Sequence, residues 1–446
     1  MTDSGSGGTG PSPERLQRSA STNRRLLSWG SLTVASRVLS KLTQLLFLVA
    51  AARILSVEEF ASYSYLLVLA ITFAMLGDTG VAMVGSRDVS AGRRTAADTY
   101  WSAFPAVALC ALLAALGMVV FGTVGSGPGS SPGLIALAAA FVGVNVLFSF
   151  GTTMLRGVGR PGVEAAIQGA GAIAFAGGAI GLASAGFGLE AVLAVLLAKE
   201  VISGLTVHLL LRPEVGPPTR RDRSAWQPLL LQGLRLGLAS TALAVATRSE
   251  LILLGNLGEA SDVAWFSAPL RITEAVLVFS LTAGYALLPG ATYLSVTDRG
   301  RVTRLVWRLL GAVTAVGAIV ALACALAAEP ILTLLFGETF SPAAAPGAIL
   351  LAGIPAYGAL GIVWYALLAF DGDRELMGMA VALGLFSLVA GALVIPAHDD
   401  VGAAWVYVVT LTAMAATGAL LLRRCVARGG TGVPDRETLV AAGEAV

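Results

Sequence analysis

The chain has 446 residues, 56% of them hydrophobic and 13% charged, with a mean hydropathy of +0.81. A soluble domain carries about 25% charged residues, so a soluble fold is excluded: it would leave much apolar surface uncovered. The formal net charge of +2 says little alone, whereas the distribution of cations between apolar runs says a good deal.

Residues 1–25 (MTDSGSGGTGPSPERLQRSASTNRR) are polar and rich in Gly, Ser and Pro, which predicts a disordered tail. They hold no apolar h-region, so no cleavable signal peptide is expected. A membrane span needs about 20 apolar residues. Twelve segments qualify: 26–51, 60–84, 100–124, 133–155, 163–185, 190–211, 228–255, 263–289, 303–327, 343–369, 376–396 and 402–422. With Arg304 and Arg308, at the edge of the ninth run, counted with the loop that precedes it, 22 of the 29 Lys and Arg residues lie in segments on one side of these runs, one (Arg53) on the other, and six inside them. Lys and Arg are retained in the cytoplasm during insertion. The sorting therefore predicts an all-α, multi-pass protein of about twelve transmembrane helices with both termini cytoplasmic. High Gly and Arg with only two lysines points to a GC-rich bacterial genome, hence to the bacterial inner membrane.

Glu329–Pro342 is the longest external segment, and Arg212–Gln227, rich in Pro and Arg, the longest internal one. The latter divides the chain into a 1–25 tail, a six-helix lobe over 26–211, a cytoplasmic linker over 212–227, a second six-helix lobe over 228–422 and a cytoplasmic tail over 423–446. At a constant offset of 203, Glu59 meets Asp262, Tyr63 meets Phe266 and Ser64 meets Ser267, as two parallel repeats related by a pseudo-two-fold axis would place them. Gly and Ala crowd several spans, for example Gly169–Gly186, allowing close backbone approach in lipid. Pro105, Pro269, Pro289, Pro346 and Pro355 lie in or beside spans, and one or two are expected to bend their helices. Cys110 and Cys324 fall in apolar runs and Cys425 in the tail, so no disulfide framework is implied.

Charges inside the runs carry the chemistry, because each costs at least about 2.5–3.5 kcal/mol at mid-membrane unless paired or facing water. Arg37, Lys41 and Gln44 share one stripe of the first span. Arg235, Arg248 and Glu250 lie in the seventh span, Arg271 and Glu274 in the eighth, and Lys199 with Glu200 in the sixth. Cations on the opening helices of both halves predict a water-filled cavity for an anion, with phosphate or diphosphate bound by Arg37, Lys41, Arg235, Arg248 and Arg271. The plainer alternatives are structural pairs for Arg271–Glu274 and Arg248–Glu250, an interfacial snorkelling pair for Lys199–Glu200, and snorkelling for Arg235. Asp78, Glu164, Glu250 and Glu274 are the membrane carboxylates open to ion coupling. Neither lysine follows a glycine, so a Walker A loop is excluded. His208 and His398 are far apart, so neither a metal site nor a cofactor is expected.

Three stretches then point to a family: ARILSVEEFASYSYLL (Ala52–Leu67), SELILLGNLGEASDVAWFSAPLRI (Ser249–Ile272) and EPILTLLFGETFSPAAAPGAILLAG (Glu329–Gly353). Over roughly residues 25–424 the chain resembles polysaccharide-exporting, O-antigen-type flippases of the multidrug/oligosaccharidyl-lipid/polysaccharide exporter superfamily. The resemblance implies two six-helix lobes around a cavity that opens alternately to each side. It implies translocation of an undecaprenyl-diphosphate-linked oligosaccharide, with membrane lipids, a polysaccharide polymerase and glycosyltransferases as partners and no nucleic acid. It also implies an acidic residue, often Asp, near where Glu250 stands. The related peptidoglycan-precursor flippases typically have fourteen spans rather than twelve. Alternatives are an exporter of small organic cations, a non-transporting scaffold of cell-wall assembly, and a membrane enzyme. The last would need large loops or a soluble catalytic domain, and neither is found, so no enzyme is expected.

Overall fold

Inside lipid the backbone has no water to bond, so a chain this apolar must close its hydrogen bonds within helices or a barrel. The computed structural model describes residues 38–90, 92–217, 223–275, 299–370 and 372–427, and they are helical with no strand among them. In chain order the helices are α1 (residues 38–54), α2 (Val57–Gly77), α3 (Val81–Ser90), α4 (Ala96–Val124), α5 (Pro132–Gly157), α6 (Pro161–Ser184) and α7 (Gly188–Val215). There follow α8 (Arg223–Leu257), α9 (residues 260–275), α10 (Arg299–Leu326), α11 (Ala328–Phe336), a 3-10 turn (Glu338–Ala343), α12 (Ala344–Ala352), α13 (Ile354–Ala369) and α14 (Asp373–Ala427).

Local chemistry sets the ends. Ser56 and Glu59 close a capping box on α2, satisfying two amides that the helix start would leave bare. Thr95 caps α4 and Ser131 caps α5, which also begins on Pro132. Gly186 and Gly188, both at positive φ (86° and 67°), turn the chain from α6 into α7 in three residues.

Among the described residues eight helical segments are long and apolar enough to cross a membrane, one of them the run Glu338–Ala369 through the 3-10 turn, α12 and α13. That is fewer than the twelve expected spans for visible reasons. The first and eighth spans continue into residues outside those described, and α8 carries internal charge. The eleventh and twelfth run together in α14 across Asp399, whose φ of 46° and ψ of −131° break the helix. Three expectations change. The second span stops at Gly77 and restarts as α3 instead of running through to residue 84. The external segment at 329–342 is not a loop but α11 and a 3-10 turn. The 212–227 linker is shorter, since α7 runs to Val215 and α8 begins at Arg223. Of the five prolines, Pro105 sits inside α4, Pro269 within α9, Pro346 early in α12 and Pro355 at the start of α13, beside a break at Gly353; Pro289 lies outside the described residues.

Helices α2 to α7 pack chiefly on one another, as do α8 and α10 to α14, and α8 also lies against α2 and α3. The two halves repeat a local device: Ser56 N donates to Glu59 (3.0 Å), and 203 residues on Glu259 N donates to Asp262 (2.8 Å). Tyr63 and Phe266, and Ser64 and Ser267, are all buried. Large apolar side chains meanwhile face outward in rows, such as Leu109, Leu112 and Leu116 on α4 and Ile319, Leu322 and Leu326 on α10. In water such rows would be a liability; in lipid they are the contact surface.

The groups meet at both ends. At one end Tyr65 of α2 accepts a hydrogen bond from Asn256 of α8 (2.9 Å), Ser126 donates to Asn256 O (3.1 Å), and Arg53 donates to the carbonyls of Leu334 and Leu335. At the other, arginine-rich end, Gly233 and Gly237 of α8 press on the α2–α3 break: a Cβ on Gly237 would lie 2.9 Å from the Thr79 carbonyl carbon.

Candidate functional site

Lys41 and Gln44 are three apart on α1 and share a face; Lys41 Nζ donates to Gln44 Oε1 at 3.2 Å. Arg271 and Glu274 have the same spacing on α9, and Arg271 Nη1 donates to Glu274 Oε2 at 2.9 Å. The two faces enclose a pocket of about 10 Å³ lined by Lys41, Gln44, Leu48, Arg271 and Glu274, on the scale of one water molecule. Arg248 of α8 completes the group, since Glu274 lies within electrostatic reach of Arg271, Lys41 and Arg248. Three cations thus act on one carboxylate.

Arg271 is 6% exposed, yet its Nε and Nη2 have no hydrogen-bond partner among the described residues, and Arg248 Nε is buried and likewise unpartnered among them. In a guanidinium, Nε and Nη2 form one edge whose two N–H groups point the same way, the fork that fits two oxygens of a phosphate or carboxylate. A buried donor without a partner costs about 1–3 kcal/mol, more when charged, so this edge is suited to an anion. Behind it stand buried tyrosines: Tyr407 OH donates to Tyr357 OH at 2.8 Å, and Tyr63 is within electrostatic range of Arg271.

The structure therefore brings together Lys41, Arg248, Arg271 and Glu274. Arg37 lies outside the described residues, and Arg235 is described only as backbone within α8. Asp78 accepts from Gly80 N (3.1 Å) and so shapes the α2–α3 break. Glu164 is paired with Arg156 (2.9 Å). Arg248 and Glu250 do not form the pair considered above. Glu250 turns away to bond Ser387 of α14, with Ser249 Oγ 2.9 Å from Ser387 Oγ, and is fully buried among hydroxyls. Lys199–Glu200 is a pair (2.9 Å), with Glu200 3% exposed and bonded by Asn145 (3.0 Å), and Lys199 5.7 Å from the Phe148 ring centroid. Among the described residues no three His, Cys, Asp or Glu side chains gather as a metal site would need.

Sequence reasoning missed Ser387, the three tyrosines and the Tyr65–Asn256 contact. For the α8 packing a signal existed: Gly233 and Gly237 form a small-xxx-small pair.

A family model described as "Polysaccharide biosynthesis protein" matches residues 27–294. Among solved structures, the chain is similar to the lipid II flippase MurJ in an inward closed conformation (TM-score 0.70, 12% identity, covering 89% of this chain and 87% of that one). It is also similar to an inward-facing multidrug resistance MATE family transporter of the MOP superfamily (0.64, 14%, 87% and 95%). A third is a MOP superfamily transporter from Pyrococcus furiosus, described by the reverse polarity of its binding pocket (0.61, 14%, 90% and 95%). None of the curated proteins matches. At these identities the structures show the fold, which is that of multi-pass MOP transporters.

Proposed function

The chain belongs to the polysaccharide biosynthesis protein family, and from that premise we propose that it is a flippase for an undecaprenyl-diphosphate-linked oligosaccharide. It would move this substrate from the inner to the outer leaflet of the bacterial cytoplasmic membrane by alternating access. Two six-helix lobes, with both termini cytoplasmic, would open in turn around the site between α1, α8 and α9. The observation that carries this reading is the unpaired, buried Arg271 fork beside Lys41 and Arg248. Three cations against Glu274 leave two positive charges, and a diphosphate diester carries one negative charge on each phosphate. Bidentate and multiple charge-assisted bonds suit that group. Glu274 holds Arg271 through Nη1 (2.9 Å), and the diphosphate would take the Nε–Nη2 edge beside it. Glu250, buried among hydroxyls in the C-terminal half, is the carboxylate we assign to proton coupling.

The fold alone fits an exporter of organic cations equally well, since MATE transporters share it. The charge of the site argues against that reading, because a net positive pocket repels a cation. Transport in proteoliposomes separates the two. Wild type should flip a labelled undecaprenyl-diphosphate oligosaccharide, and the Lys41→Ala/Arg271→Gln double variant should not. Efflux of an organic cation without flipping of any lipid-linked sugar would overturn the assignment.

A further inference from the structure

A second, larger pocket of about 400 Å³ lies away from the cationic site, at the arginine-rich end between the start of α4 and the end of α7. Its walls include Tyr100, Trp101, His208 and Arg212. Trp101 Nε1 donates to Gly216 O at 3.3 Å, holding the indole at the rim, and Tyr100 OH lies 3.1 Å from His208 Nδ1. Tyr100 stacks on Phe104 with ring centroids 5.6 Å apart, so the aromatic wall is built rather than incidental.

Both helices run from this pocket into exposed apolar stripes. On α7, Val201, Leu205, His208 and Arg212 follow one another at steps of four, three and four, and Val201 and Leu205 are exposed. On α4, Trp101 heads a stripe that continues through the exposed Leu109, Leu112 and Leu116. Those spacings keep each set on one helical face. The pocket is thus the polar foot of two lipid-facing stripes, and Trp and Tyr are the residues that settle at head-group depth.

The charge in its lining is positive. Among the described residues no carboxylate lines it; the neighbouring Glu214 is taken by Arg160 at 3.3 Å, and Asp98, one turn before Trp101, accepts from Thr95 Oγ1 at 2.7 Å. Beyond Pro217 the sequence goes on to Arg220, Arg221, Asp222 and Arg223, cations in excess. The ammonium of a zwitterionic head group would find no carboxylate among the described lining residues, whereas a lone phosphate would find Arg212 and His208. Basic pockets of this kind between transmembrane helices take anionic lipid head groups.

We propose that this pocket binds the head group of an anionic membrane phospholipid, whose acyl chains lie along the leucine stripes of α4 and α7. The inference is independent of what the cationic site transports. Native mass spectrometry of the full-length protein, delipidated in detergent and titrated with phosphatidylglycerol or phosphatidylcholine, tests it. Wild type should prefer phosphatidylglycerol by about fivefold, the worth of one cation near a lipid head group. Arg212→Gln should lose the preference, and Arg304→Gln, an exposed cation on α10, should keep it. Trp101 gives a readout that does not need the Arg212 variant. Dibrominated phosphatidylglycerol, but not its phosphatidylcholine counterpart, should quench the emission that separates wild type from Trp101→Phe. Equal binding of the two lipids by wild type would overturn the proposal. So would displacement of phosphatidylglycerol from the Trp101 site by an equimolar isoprenyl diphosphate, which would give the pocket to the carrier lipid instead.

Discussion

Tyr65 is the keystone of the contact between the two helix groups at the arginine-poor end, and Gly255→Ala should break that contact. A Cβ on Gly255 would lie 2.3 Å from Tyr65 Cδ2 and 2.5 Å from Cε2, well inside van der Waals contact. The ring cannot swing away, because a Cβ on Gly127, on its other side, would lie 2.3 Å from Cζ: the space there fits only hydrogen. Nor is the tyrosine free to rotate out, being 3% exposed and bonded by Asn256. Overpacking of this kind costs about 1–3 kcal/mol, all of it charged to the state in which α2 and α8 touch here. The closed form should lose population by about 5- to 150-fold relative to the form open at this end. Spin labels at Val124→Cys on α4 and Glu338→Cys beyond α11, both exposed, would report it by double electron–electron resonance in nanodiscs. The distance distribution should gain a longer population in Gly255→Ala, and Gly127→Ala should do the same. An unchanged distribution in both variants, with an unchanged Tm, would refute the wedge argument.

Gly237→Ala should act in the opposite sense, since its Cβ would meet the Thr79 backbone at 2.9 Å at the arginine-rich end; labels across that end should move apart while those at Val124 and Glu338 do not. Glu274→Gln removes the carboxylate on which three cations act, so stability should fall by up to about 3–5 kcal/mol, as for the loss of one partner of a buried pair, and Tm with it. Inorganic diphosphate should then raise Tm more in the variant than in wild type, and equal shifts would mean that Glu274 does not compete with the anion. Glu250→Gln keeps a partner for Ser387 while removing the acid, so transport should persist but lose its response to an imposed proton gradient. A response identical to wild type would remove Glu250 from coupling.

Much of the fold was legible because one quantity, the cost of polar groups in lipid, dominates a chain of this composition. Apolar runs and the sorting of Arg marked the helices, and the Ser56–Ser64 and Glu259–Ser267 stretches were visible as a faint repeat that the structure matches with one shared backbone-to-carboxylate bond. The break at Asp78–Gly80 was not read from its GDTG sequence, although an acceptor two residues before a glycine at positive φ is a turn in the making. The segment at 329–342 falls between two spans and so reads as an external loop, although it is partly apolar, and those apolar residues make α11. In the site, Lys41, Arg271 and Glu274 stood out since a charge inside an apolar run demands an explanation. Pairing Arg248 with Glu250 ignored helix geometry: residues two apart point to different faces, and Glu250 indeed faces α14. Tyr357, Tyr407 and Ser387 were silent because an uncharged polar residue in a span costs little, and one sequence does not show which distant helix it meets.

The central claim is that Lys41, Arg248 and Arg271 form a receptor for a diphosphate. The most direct test is isothermal titration of the purified protein with two water-soluble, short-chain prenyl sugars that differ only in carrying one phosphate or two. Wild type should bind the diphosphate at least about tenfold more tightly, the equivalent of one further charge-assisted bond, with an affinity that falls as salt rises. Arg271→Gln should abolish the difference. Equal affinity for the two ligands in wild type, or a diphosphate preference that survives in Arg271→Gln, would contradict the account.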